Sequence, residues 1–232
     1  MCGRIGLKDP PRDVGKWLDA RVSDELETTW EARYNVGPTD PILGAQVDRD
    51  GDRVLHQYRW GLIPSWAKDP KVGLRSFNAR ADSVATKPLF RNAFQRRRLL
   101  VPVSGFYEWQ AVPDRKAKQP HWFTRADEEP VVFAGLWEWW RSPEGEEIYS
   151  ATIITTDAGP DMEQIHHRQP VVLESETWER WLDPAVDADE ELEGMLRPGP
   201  AGVLRHWPVG QSVGNVRNQG RQLIDAVNSQ RG

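Results

Sequence analysis

The chain has a single cysteine in 232 residues. That excludes an internal disulfide and a thiolate zinc cluster, leaving only mixed metal sites built with histidine and carboxylate. No apolar run approaches the roughly 18 residues that span a bilayer, and the amino terminus has neither a basic segment nor an apolar one of the secretory kind. The expectation is a protein of the reducing cytoplasm with no membrane partner. There are five histidines, but no His-x-x-x-His pair and no carboxylate cluster, so no metal is expected. Phosphate-cradling glycine loops and Gly-x-Ser-x-Gly elbows are missing as well, and no cofactor is expected. Repeats, low-complexity tracts and long linkers are absent, and the length suits one domain over 1–232, acting as a monomer.

What is present is unevenly distributed. The net charge is −5, yet Arg53 to Arg125 holds 15 Lys and Arg against Asp69, Asp82, Glu108 and Asp114, a surplus of +11 that leaves −16 for the rest. Such asymmetry fits a basic surface for phosphates kept soluble by acidic flanks, and equally a solvated basic face. Twelve tryptophans are many for this length. Trp60, Trp66, Trp109 and Trp122 stand among the cations, and rings beside cations are what a single-stranded nucleic acid groove uses. For each of them ordinary core packing is the alternative.

Apolar runs predict strands over Val54–Trp60, Leu99–Val103, Val131–Leu136, Tyr149–Thr156 and Pro170–Leu173. Helical spacing joins Val14, Trp17, Leu18 and Arg21 after Pro10 and Pro11. It joins Trp178 and Leu182 after a Ser175 cap, and Leu192, Met195 and Leu196 in an acidic helix. Ala81–Gln95 reads as helical with a break at Pro88. Without regular βαβ alternation, the pattern gives an α+β fold around a mainly antiparallel, curled, barrel-like sheet with peripheral helices.

Scarce reactive residues fall in four polar segments. Cys2 follows the initiator directly; removal of Met1 would put an α-amine and a thiol on adjacent carbons, a pair that condenses with an aldehyde to a thiazolidine. A buried structural thiol is the other reading. Asn78 and Arg80 are two residues apart and share a face if the chain is extended, though Asn78 also suits a turn. Glu108 is one carboxylate in an apolar stretch within the basic region, either a titratable proton carrier or a salt-bridged structural group. His166 and His167 precede Arg168, and only one of two adjacent strand residues can face a site.

Together these segments resemble the SRAP family, the SOS response-associated peptidase domain, whose members trap abasic sites in single-stranded DNA. The matching stretches are Met1-Cys2-Gly3-Arg4, Tyr34-Asn35-Val36 with Pro38-Thr39, Trp60 to Trp66, Asn78 to Ala81, Arg97-Arg98 with Val101-Pro102, Gly105 to Trp109, Ala134 to Trp137, Thr152 to Thr156, and His166-His167-Arg168 with Pro170. The resemblance implies that Cys2 is the nucleophile, that Asn78 holds its amine, that Glu108 shuttles protons and that His166 protonates the sugar ring oxygen. It implies further that Arg4, Arg80 and Arg168 bind phosphates, and that Trp66, Trp109 and Pro38 stack on or wedge between bases. Gln169 replaces the family's usual Met, Leu99 a common Cys, Asp82 and Ser83 the usual Glu and Thr, and Val213-Gly214-Asn215 lacks the usual Val-Asn pair.

Two further functions remain open. One is a cysteine peptidase or self-processing hydrolase built on Cys2, His166 and Glu108. The other is a non-covalent single-strand binding module with a structural Cys2. Lyase activity on the damaged strand and association with the nucleoid belong with the abasic-site reading.

Overall fold

The computed structural model describes residues 2–186 and 190–227. In chain order its strands are β1 (Ile5–Leu7), β2 (Arg21–Val22), β3 (Arg33–Val36), β4 (Pro41–Val47), β5 (Arg53–Trp60), β6 (Asn78–Arg80), β7 (Arg98–Val103), β8 (Gly105–Gln110), β9 (Gln119–Arg125), β10 (Val131–Arg141), β11 (Glu147–Asp157), β12 (Arg168–Pro170) and β13 (Leu204–Pro208). The helices are short: α1 (Pro11–Leu18), α2 (Asp24–Thr28), α3 (Arg91–Arg96), α4 (Trp178–Leu182) and α5 (Glu190–Gly194).

Five strands close on themselves. β10 pairs antiparallel with β11 and β7, β7 with β4, and β4 with β5, and a parallel contact between β5 and β11 through Ser150↔Arg59 and Ala151↔Trp60 completes the barrel. A second sheet, β13-β9-β8-β1-β3, lies beside it. The α+β, mainly antiparallel, barrel-like expectation therefore holds. β7 is buried at every residue and β10 at its first six, so neither shows strict polar alternation. Their two faces feed two cores. Leu100, Val132, Ala134 and Leu136 pack with Phe94, Trp178 and Trp181 of the helices. Leu99, Val101 and Phe133 pack with Ile5, Val36, Phe106 and Phe123 of the second sheet.

Several local expectations shift. α1 begins at Pro11, where a missing N–H costs nothing, but closes at Asp19 with φ 50°, so Arg21 joins β2 instead of continuing the helix. Ala81–Gln95 breaks as Pro88 requires, into a 3₁₀ turn at Ala81–Ser83 and α3. Ser175 does not cap α4; it opens a 3₁₀ turn, and Thr177 precedes the helix. The last predicted strand starts earlier, at Arg168, because Arg168 and Gln169 pair with Asp157 and Thr156, leaving Val172 a single bridge to Phe133. The acidic helix is shorter than its spacing predicts: α5 ends at Gly194, so Leu192 is buried within it while Met195 and the buried Leu196 follow in a turn.

β11 positions the site. Its early residues close the barrel on β5, and its later ones carry β6 in parallel register, Ile153↔Asn78 and Thr155↔Arg80. On the other side β1 lies between β3 and β8, Ile5 opposite both Val36 and Phe106. The chain's first residues are thereby inserted between β6 and β8.

Close approach at the start of β8 depends on Gly105. A Cβ there would fall 2.2 Å from the Trp122 ring and 2.4 Å from the Phe123 carbonyl oxygen. Gly105→Ala is expected to cost on the order of 3 kcal/mol, read as a lowered urea midpoint with unchanged slope.

Candidate active site

Cys2 is fully buried, with Ile5, Val36, Phe106 and Ile153 in its core. From β6, the Asn78 amide Nδ2 donates to the Cys2 carbonyl oxygen at 2.7 Å. Its other amide atom, Oδ1, is buried and has no partner among the described residues. An orphaned buried acceptor is costly, and this one is carried by a side chain already bonded to Cys2. The Trp60 indole holds the approach to Asn78 by donating to the Phe77 carbonyl at 2.8 Å.

Glu108 reaches the same place from β8 and is 3% exposed. Burial pushes its carboxyl above the usual range. The Cys2 thiol is also raised, first by burial and then by the nearby Glu108 charge, against the opposing pull of the Arg4 backbone N–H. This thiol is held as S–H, unlike the electropositive, pKa-lowered cysteines that attack as thiolates.

His166 is half-buried, and its Nδ1 lies 3.0 Å from both the Arg168 backbone N–H and the Arg168 carbonyl. Burial lowers its pKa against the opposing Arg168 backbone hydrogen bond, so the ring is biased to the neutral form; in the tautomer whose Nδ1 accepts from the Arg168 N–H, Nε2 carries the proton, and in the other Nδ1 donates to the Arg168 carbonyl.

The arginines divide into three kinds. Arg4 donates through Nη1 to Asn35 Oδ1 and the Val213 carbonyl, both at 2.7 Å, while its Nε has no partner among the described residues and its guanidinium lies 5.8 Å from the Trp109 ring centroid. Arg80 is exposed and gripped by Asp82, with Nη2 at 2.5 Å from Oδ2. Arg168 is 5% exposed, its Nη1 on Asp157 at 2.7 Å and its Nη2 on the Thr155 carbonyl at 2.6 Å. That guanidinium faces inward, contrary to the surface placement a phosphate contact needs. Its backbone, not its charge, meets His166. The basic stretch is partly structural for the same reason: Arg98 is buried against the carbonyls of Phe94, Gln95 and Trp181, and Arg97 pairs with buried Glu138 at 2.6 Å.

Of the expected base contacts, Trp109 is half-buried at the end of β8, and Pro38 sits half-buried in the turn between β3 and β4, where Thr39 has φ 79°. Trp66 is 60% exposed, on a loop tied down by the Trp140 indole donating to the Ala67 carbonyl.

One residue without a predicted role is central. Asn35 is buried, accepts from Arg4, and donates through Nδ2 to the carbonyls of Val213, Asn215 and Asn218 at 3.2, 2.9 and 3.0 Å. It lies in the Tyr34-Asn35-Val36 stretch, so its signal was present. The altered Val213-Gly214-Asn215 segment makes these contacts through its backbone, which the side-chain departure leaves intact. Gln169, another departure, is also used: its Oε1 accepts from the Gly159 N–H at 2.7 Å.

Residues 1–216 match the family model described as SOS response associated peptidase (SRAP). The chain belongs to the SRAP family. It is 36% identical over 228 residues to the abasic site processing protein YoqW of Bacillus subtilis, covering 97% of this chain and all of that one. The abasic site processing protein HMCES of Xenopus tropicalis is 31% identical, over 98% of this chain and 78% of its own length. A solved structure from Bacteroides thetaiotaomicron superposes with a TM-score of 0.87 at 22% identity, over 97% of this chain and 100% of that one, and shares the SRAP fold. Met1, whose removal the small side chain at position 2 favours, lies outside the described residues.

Proposed function

We propose that this SRAP protein processes abasic sites in single-stranded DNA by capturing them covalently through Cys2. The observation that carries the reading is the meeting of Cys2 with Asn78 and Glu108, in which the thiol is held protonated and an amide oxygen is left without a donor. Once Met1 is removed, the Cys2 α-amine supplies that donor, and Asn78 Oδ1 orients its lone pair toward the substrate.

The chemistry then runs amine first. His166 donates from Nε2 to the sugar ring oxygen and favours the open aldehyde. The amine adds to C1′ and forms a carbinolamine; protonated Glu108 gives its proton to the departing hydroxyl, and water leaves to yield the iminium. Glu108, now a carboxylate beside the sulfur, takes the thiol proton as sulfur closes on C1′. The products are a thiazolidine and water, with Glu108 protonated again. A carboxyl whose pKa is raised suits both halves of this cycle. Proximity adds effective molarities that can reach about 10⁵ M. Arg4 and Arg80 contact flanking phosphates, Trp66, Trp109 and Pro38 contact bases, and Arg168 fixes His166 through its backbone.

A peptidase using Cys2 as a free thiolate is disfavoured by the raised thiol pKa. The test is incubation with oligonucleotides carrying one abasic site, followed by heat denaturation. A shifted band is expected with single strands, less with duplex, and none with undamaged DNA. Binding without any heat-stable adduct would leave only the non-covalent module.

A further inference from the structure

The loop joining β8 to β9 carries Arg115, Lys116 and Lys118 with one acid, Asp114, at a tip where φ is 61°. All three cations are exposed, and among the described residues none belongs to an ion pair. This is unlike Arg80, Arg97, Arg125 and Arg168, each of which is engaged by a carboxylate. Nor is the loop loose at its base. Gln110 and Gln119 face each other where the strands end, Gln211 Nε2 donates to the Lys118 carbonyl at 2.9 Å, and Gln110 Nε2 donates to the Gln164 carbonyl, two residues before His166, at 3.1 Å. The same hairpin carries Glu108. Burial dominates the pKa of both Glu108 and His166, and the Lys118 charge acts on both as a smaller influence, so the ammonium stands where it is felt from either side of the site.

We propose that Arg115, Lys116 and Lys118 bind phosphates of the DNA strand on the His166 side of the lesion, with Lys118 nearest the reacting sugar. This rests on the covalent-capture reading and supplies what it lacks there, since the Arg168 guanidinium is turned inward. Unpaired cations clustered beside a site for a polyanion gain by releasing the counterions of the strand they meet.

The test measures affinity for an undamaged single-stranded oligonucleotide by fluorescence anisotropy from 50 to 200 mM salt, alongside the crosslinking rate on an abasic one. Each lost phosphate contact lowers the slope of log K against log salt by about 0.7. Lys118→Ala is therefore expected to narrow its deficit relative to wild type about 2.5-fold over that range, and the triple alanine variant about 20-fold. Lys118→Arg retains the wild-type slope. Unchanged slopes in Lys118→Ala and the triple variant, with wild type still crosslinking, would overturn the hairpin assignment and spare the chemistry. A failure of wild type to crosslink would sink the chemistry while the slopes still judged the hairpin. Because the three positions are exposed on a loop, an unchanged melting temperature is expected in every variant.

Discussion

Cys2→Ala is expected to eliminate the heat-stable adduct, by about 10³-fold or more, while leaving a Schiff base that borohydride can trap. The variant still presents an α-amine after Met1 removal, so addition and dehydration proceed. What it loses is ring closure, and with it the proximity of a thiol on the carbon next to the amine. The open imine returns to aldehyde on denaturation. A form that retains Met1 loses both steps, because the amine then sits one residue away. The three proteins, compared with and without borohydride, separate amine from thiol. A heat-stable band from Cys2→Ala equal to wild type would show that the thiol takes no part.

Glu108→Gln is expected to slow crosslinking by about 10²- to 10⁴-fold, the usual worth of a positioned proton carrier. It should also change stability in a pH-dependent way. The folded carboxyl has a pKa above its unfolded value of about 4.3, so the native state holds the proton more tightly. That contribution is complete below the unfolded pKa and is lost as pH rises through the folded one. Gln has no proton to lose. The melting temperature of Glu108→Gln relative to wild type should therefore rise between pH 4.5 and pH 7.5, by about 2 to 4 °C for each kcal/mol involved. A variant that is more stable at neutral pH and nearly inert would mark Glu108 as retained for chemistry at a cost in stability. Parallel melting curves at both pH values, or an undiminished rate, would contradict the role.

Much of the barrel was legible because its strands are uninterrupted apolar runs. Val131 to Leu136 and Leu99 to Val103 are buried on both faces, and such runs announce themselves without alternation. Short elements were less legible. β6 has only three residues and owes its strand conformation to β11, a partner about 75 positions away. Ser175 looked like a cap because its neighbourhood is helical, yet one intervening 3₁₀ turn displaced the helix start. Among the candidate site residues, Cys2 and His166 stand out by scarcity, and Asn78 and Glu108 only through the family resemblance and their apolar or extended surroundings. Arg168 could not be assigned correctly by charge alone, since nothing local distinguishes a guanidinium turned toward Asp157 and Thr155 from one turned toward solvent.

The sequence by itself determined the inventory: one thiol beside the chain start, a carboxylate in an apolar strand, a basic middle, and enough buried β-forming runs to make a curled sheet. Those features are composition and periodicity, which need no partner to be read. Tertiary structure alone decided which of them meet. β1 pairs with β8 while the residue pairs of β6 and β11 bring Asn78 to the Cys2 carbonyl, so Asn78 and Glu108 both meet the chain start, and burial raises the pKa of both thiol and carboxyl. Position in three dimensions fixes desolvation and hydrogen-bond partners, and these depend on residues that lie far apart along the chain.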